Sequence, residues 1–216
     1  MNNIVLYEDD IIYHADIVLT QEWMDKTNPR NFYFKHSTMG NTYRILFRKD
    51  TEYLYNAETE YSAKVFAPII EDLKKKSFDS VLLLGLGTGE LIKKIREFSD
   101  CTITVIEKDP QAQYYKHTIA DGDFNLIIDN VHNYNSFSRI LKKYDIVIDD
   151  IDPNFEYKIP FLKHNTNQSY YFMINYRIFK DLYTFLMVDK NLSINKISKV
   201  DKKTVDFYQK MIYTLV

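Results

Sequence analysis

The spacing of hydrophobic and polar residues along this 216-residue chain changes character near residue 60. Before it, short β-like runs dominate: Ile4–Tyr7 and Ile11–His14, parted by acidic residues, and Tyr53–Asn56. Asn31–His36 and Thr42–Arg48 flank the turn Ser37-Thr38-Met39-Gly40-Asn41 and predict a hairpin. Gln21–Asp25, with the only tryptophan, reads as a short helical or loop segment. From Tyr61 to Lys75 apolar residues fall at 61, 65, 66, 69, 70 and 73, which is helical spacing with one buried face. Pro68 marks a kink or a new start inside it, and Lys74-Lys75-Lys76 closes it as a solvated, dipole-favoured terminus.

After Ser80, strand and helix alternate. Val81–Leu84, Thr102–Ile106, Phe124–Ile128 and Tyr144–Ile148 are strand-like. Between them come a helix with Leu91, Ile92, Ile95 and Phe98 on one face, a helix opened by Pro110, and Ser136–Lys143. The tail predicts a helix over Gln168–Met187, through Tyr171, Ile174, Ile178, Leu182 and Phe185. A strand at Leu192–Ile197 and a helix at Lys202–Tyr213 follow. Short apolar strands joined by helical crossovers imply an α/β fold with a Rossmann-like parallel sheet. The expected organisation is a β-rich extension over residues 1–60 and a nucleoside-binding domain over 61–216 with a shortened C-terminal part.

The stretch VLLLGLGTGE, Val81–Glu90, runs a strand into Gly85-x-Gly87-x-Gly89 and then a helix. Glycines there let the backbone turn sharply and approach a nucleotide-like ligand. Glu107 ends the next strand, 18 residues after Gly89, where an acid accepts the hydroxyls of a ribose. The third and fourth strands end in Asp129-Asn130 and Asp149-Asp150, which places all these residues at the carboxyl ends of one sheet. Asp149-Asp150-Ile151-Asp152-Pro153 allows three readings: oxygen ligands for a divalent metal, an amine site that takes up a proton, or a solvated acidic loop. Glu156 against a single Lys158 keeps that region acidic and suited to a cationic small molecule.

A net charge of −2 and a pI near 6.2 give no electrostatic case for nucleic acid. One cysteine, Cys101, excludes a disulfide framework and points to a reducing cytoplasm. No apolar run is long enough to span a bilayer, so no membrane partner is expected. The five histidines lack metal-ligand spacing, and no metal is expected. The aromatic excess fills a core and, as an expectation, an interface of a homodimer or higher homo-oligomer.

From Tyr43 to Pro153, about half its length, the chain resembles the polyamine aminopropyltransferases, spermidine-synthase-like proteins of the S-adenosylmethionine-dependent methyltransferase fold class. The family's fourth-strand motif Asp-Ser-Ser-Asp-Pro is similar to Asp149-Asp150-Ile151-Asp152-Pro153, and VIEKDP resembles its ribose motif. The resemblance implies that Asp149 accepts the proton of an attacking amine while Asp152 holds the diamine. It implies that Tyr61, in Glu58-Thr59-Glu60-Tyr61, positions that amine. Gly85, Gly87, Thr88, Gly89, Glu107, Asp129, Asn130 and Asp150 would then bind the donor, S-adenosylmethionine or its decarboxylated form. Thr88 departs from the family, which has an aspartate there for the aminopropyl amine, and Gly87-Thr88-Gly89 looks more like the general methyltransferase form. The family's Gly-Pro-Ala helix start after the proline is replaced by NFEYKIPFLKHN. The expected activity is aminopropyl transfer to an amine. The competing expectations are methyl transfer, a sulfonium-cleaving lyase, and a nucleoside-binding protein without turnover.

Overall fold

The computed structural model describes residues 3–27, 34, 37–130, 144–150, 170–175, 184–189 and 194–196. The chain forms two compact units. The first comprises Met1–Ala67, Gly87–Phe98 and Gln111–Asp123, and the second Pro68–Leu86, Ser99–Pro110 and Phe124–Val216.

The first unit is built on an antiparallel sheet in the order β1-β2-β3-β4: β1 (Ile4–Glu8), β2 (Ile12–Val18), β3 (Thr42–Arg48) and β4 (Tyr53–Glu58). Alternation sorts its side chains into two faces. Ala15, Ile17, Tyr43, Ile45, Phe47, Leu54 and Ala57 pack into one core with Leu19 and Phe34. On the opposite face Arg44 sits directly across from Asp16 and donates to both its carboxylate oxygens, at 2.8 and 2.9 Å. The β1 ladder slips between Val5 and Tyr7, a bulge in an edge strand. A short α1 (Gln21–Thr27) follows β2.

The predicted hairpin of Asn31–His36 with Thr42–Arg48 is corrected here. A strand has two hydrogen-bonding edges, and β3 pairs with β2 on one and β4 on the other. The turn signal at Gly40 is real, with φ of 84°, but it returns the chain to β2: Leu19 N–H donates to the Asn41 carbonyl at 2.9 Å.

The predicted 61–75 helix forms as α2 (Glu60–Leu73), with Pro68 inside it. Proline removes an intrahelical bond, and the division between the units falls at this residue. Thr59 caps the helix, with the Ser62 hydroxyl accepting the Thr59 N–H at 2.9 Å.

The second unit holds a seven-stranded sheet in the order β11-β10-β9-β8-β5-β6-β7. β5 (Ser80–Leu84), β6 (Thr102–Glu107), β7 (Asn125–Ile128) and β8 (Ile146–Asp149) are the four strands read from the sequence, and they run parallel. Residues 81–84 of β5 and 146–149 of β8 are buried throughout, without alternation, as in a sheet covered on both faces. α3 (Glu90–Arg96) follows β5 in the chain, and the short α4 (Ala112–Tyr115) follows β6. Asp145 staples the starts of β5 and β8. It accepts from Asp79 N–H at 2.9 Å, Ser80 N–H at 3.0 Å and the Ser80 hydroxyl at 3.0 Å. The Asp79 amide, then Ser80, holds its carboxyl below the usual range.

The predicted helix over Gln168–Met187 is replaced by two strands, β9 (Tyr170–Asn175) and β10 (Thr184–Asp189). β9 extends the parallel set beside β8, and β10 turns back antiparallel along it. The run YYFMIN is aromatic, β-branched and of strand length, so its fit to helical spacing was accidental. β11 (Ile194–Lys196) lies within the strand predicted over Leu192–Ile197 and pairs with β10. The predicted helices Ser136–Lys143 and Lys202–Tyr213 lie outside the described residues.

Candidate functional site

In the second unit the strand order β7-β6-β5-β8-β9 is that of a doubly wound sheet, 3-2-1-4-5 in chain order. It reverses between β5 and β8, and ligands of such sheets bind beyond the carboxyl ends at that switch point. Leu84 pairs with Ile106 on one side and Asp149 on the other. Gly85, Glu107 and Asp150 therefore follow at the tips of three adjacent strands. Gly85 turns the chain at φ 95°, while its N–H still donates to the Ile106 carbonyl at 2.9 Å. The Asp150 N–H donates to the Leu84 carbonyl at 3.0 Å.

Glu107 is the pivot of this edge. One carboxylate oxygen accepts the Leu86 N–H and the other the Asp109 N–H, each at 2.9 Å. Its main-chain carbonyl takes the Asp129 N–H at 3.0 Å. Thus one acid fixes the turn after β5, its own turn after β6, and the start of the loop after β7. Two backbone donors set the plane of a carboxylate that can accept about four hydrogen bonds in all. Asp129 is half-buried, and its carboxylate accepts the Asn130 N–H at 2.7 Å. Asp149 ends β8 with 0% exposure. Asp152 lies outside the described residues, as does the side chain of Tyr61 in α2. Among the described residues no cluster of three or more acidic, histidine or cysteine side chains is arranged for a metal, and no helix is long and apolar enough to cross a membrane.

Gly87, Thr88 and Gly89 belong to the first unit. Gly87 and Gly89 have φ of 53° and 78°. A Cβ on Gly89 would lie 2.2 Å from Ile119 Cγ2, so only glycine fits there. The same unit buries polar groups that the sequence reading did not single out. Glu90, in the first turn of α3, lies 2.6 Å from the Ser62 hydroxyl. Burial pushes the Glu90 carboxyl up, against the pull of the Ser62 hydrogen bond. His14 is fully buried, with Nδ1 2.9 Å from the Thr118 hydroxyl. That hydroxyl spends its one hydrogen on the Tyr115 carbonyl at 2.7 Å, so Nδ1–H must be the donor to it. Nε2 is then bare and has no hydrogen-bond partner among the described residues. Polar residues of this kind interrupt no periodicity, so spacing gave no signal for them.

No protein-family model and no curated protein sequence matches the chain. Among solved structures, the fibrillarin pre-rRNA processing protein of Methanococcus jannaschii superposes with a TM-score of 0.48 at 14% identity, covering 99% of this chain and 87% of that one. The plantazolicin methyltransferase in complex with a triazolic desmethylPZN analog and SAH gives 0.41 at 22% identity, over 53% of this chain and 45% of that one. The ribosomal protein L11 methylase of Lactobacillus delbrueckii subsp. bulgaricus gives 0.43 at 12%, over 54% and 61%. The chain matches about half the length of the latter two. At TM-scores of 0.41–0.48 these likenesses carry no argument, and the fold assignment rests on the strand order itself.

Proposed function

We propose that the chain is a transferase that binds S-adenosylmethionine at the strand tips of the second unit and passes its methyl group to a nucleophile. The observation that carries this reading is Glu107, held by Leu86 and Asp109 at the end of the second parallel strand, beside the turn at Gly85. An acid so placed accepts the hydroxyls of a ribose. In this reading Asp129 and Asn130 meet the adenine, and Asp150 lies on the donor side. Asp149 takes the proton that a protonated nucleophile must lose before it attacks. Bound there, the donor supplies an electrophilic carbon next to a sulfonium leaving group. Positioning of the reactants supplies most of the acceleration, about 7–11 kcal/mol in favourable intramolecular cases. Thr88 is uncharged where a donor lacking its carboxylate would need an acid, which favours the intact donor over aminopropyl transfer.

Calorimetry tests this with S-adenosylhomocysteine, decarboxylated S-adenosylmethionine and methylthioadenosine, on the wild-type chain and Glu107→Gln. S-adenosylhomocysteine should bind more tightly than the decarboxylated donor. Glu107→Gln should weaken it by about tenfold or more, because an amide N–H₂ would oppose one of the two backbone donors. Tighter binding of the decarboxylated form would replace methyl by aminopropyl transfer. No binding of any of the three compounds would end the reading.

A further inference from the structure

His14 stands on an inner strand of the first unit and is held there from both sides. It pairs with Tyr7 of β1 and with Leu46 of β3. Its cover comes from a later stretch of the same unit. The Tyr115 ring meets it edge-on at 5.6 Å, and the Thr118 hydroxyl lies 2.9 Å from Nδ1. A second proton on this ring sits on Nε2, which has no partner among the described residues and no access to water. With the strands fixed on either side, water reaches that N–H only when the cover moves.

The cover is itself strained. Ala120, Asp121 and Gly122 follow one another at left-handed φ of 44°, 53° and 73°, which is unfavourable for the first two. Short turn bonds hold them: Ile119 N–H to the Lys116 carbonyl at 3.0 Å, Gly122 N–H to that of Ile119 at 2.8 Å, and Asp123 N–H to that of Ala120 at 2.9 Å. Arg96 Nη2, at the end of α3, donates to the Asp123 carbonyl at 2.9 Å. Between these ends Ile119, fully buried, fills the space beside Gly89 that a Cβ would need.

We infer that the turn Lys116–Asp123 is an acid-released latch: a proton on His14 frees it from the sheet, relaxes its left-handed backbone and lifts Ile119 off Gly89, while β2 and β3 stay paired. The charged groups acting on the ring are Asp16 on β2, Arg44 on β3 and Lys93 on α3. Asp16 already accepts twice from Arg44, and Lys93 is paired with Glu58 on β4. The Tyr7 hydroxyl of β1 donates to Asp9 at 2.8 Å, and the exposed His117 of the turn packs against the Tyr7 ring. Burial, then Arg44 and Lys93, outweigh Asp16 and hold the closed form's pKa down at about 4, against 6.5 for a solvated ring. Opening therefore takes up a proton between those values and is favoured as pH falls. Nothing in the latch depends on what the second unit binds.

The test is amide hydrogen exchange on the full chain from about pH 7 to about pH 4.5, expressed as protection relative to intrinsic rates at each pH. The Ile119, Gly122 and Asp123 amides are compared with those of the β2–β3 ladder. At every pH the turn amides should be protected at least about tenfold less than the ladder and should barely respond to low urea. Their protection should fall by about tenfold per pH unit between 6.5 and 4. His14→Asn should remove that slope from the turn amides. Ala120→Gly, which relieves strain and keeps His14, should raise turn protection by about fivefold with the slope intact. Equal protection in turn and ladder, a turn profile flat with pH in wild type, or a slope shared by His14→Asn overturns the inference. Should His14→Asn fail to fold, the His14 ring proton shifts decide on the wild-type chain. They should stay constant down to about pH 5, and a midpoint near 6.5 overturns the latch.

Discussion

His14 should make the stability of the first unit depend on pH in a range where few other groups act. Its ring is fully buried, its Nδ1–H is committed to Thr118, and its bare Nε2 meets no donor or acceptor among the described residues. A second proton would place a charge and an unpaired N–H there. Burial, then the charges of Arg44 and Lys93, outweigh Asp16 and push the pKa from 6.5 down to about 4. The folded state thus keeps His14 neutral where the unfolded chain protonates it. Above the unfolded value the group has no effect. As pH falls from 6.5 towards 4 the unfolded state gains the extra proton and stability drops, and below the folded value the loss is complete. At about 1.36 kcal/mol per pH unit the loss is about 3 kcal/mol, a large share of a typical domain's stability. Denaturant unfolding from about pH 7.5 to about pH 4.5 should show it as a falling midpoint at constant m-value. His14→Asn keeps an N–H near Thr118 and cannot titrate. Its lower baseline, from the lost ring volume, should come with a flatter profile over the same range. Equal pH slopes in the two proteins would refute the reasoning.

Three other outcomes follow from the geometry. Gly89→Ala forces a Cβ against Ile119 at a left-handed φ, and should cost about 2–5 kcal/mol. Combined with Ile119→Ala it should cost clearly less than the sum of the two single changes, and a strictly additive double-mutant cycle would contradict the contact. Asp145→Ala removes three hydrogen bonds that staple β5 to β8, and should lower stability by about 1–3 kcal/mol in urea unfolding at neutral pH. That stabilisation should fade in wild type as pH falls through the carboxylate range, because the folded state holds the Asp145 pKa low. Asp149→Asn should leave S-adenosylhomocysteine affinity within a few-fold while cutting turnover by about 10²–10⁴. Equal losses in both would remove Asp149 from the role of base.

The central sheet was legible because each of its first four strands is a short apolar run followed by a turn or an acid, a pattern that depends on few long-range choices. β5, its glycine turn and β6 were placed to within a residue for that reason. The tail misled because Tyr171, Ile174 and Phe185 satisfy helical spacing while their types favour strands, and only pairing to β8 decides between the two. The same holds for β3, whose partner β2 lies beyond the nearest turn signal. At the candidate site, the position of Glu107 was readable but not its double use by Leu86 and Asp109. Buried polar pairs such as Glu90 with Ser62 and His14 with Thr118 depend on contacts 28 and 104 residues apart, which no local pattern encodes.

The slip between Val5 and Tyr7 has a consequence for the open border of the first unit's sheet. β1 borders its sheet with Ile4 and Val5 largely exposed, a sticky selvage that could template another chain. The irregularity spoils the regular comb of donors and acceptors such recruitment needs. Trimming one residue from this strand would remove the slip and leave that comb regular along the border.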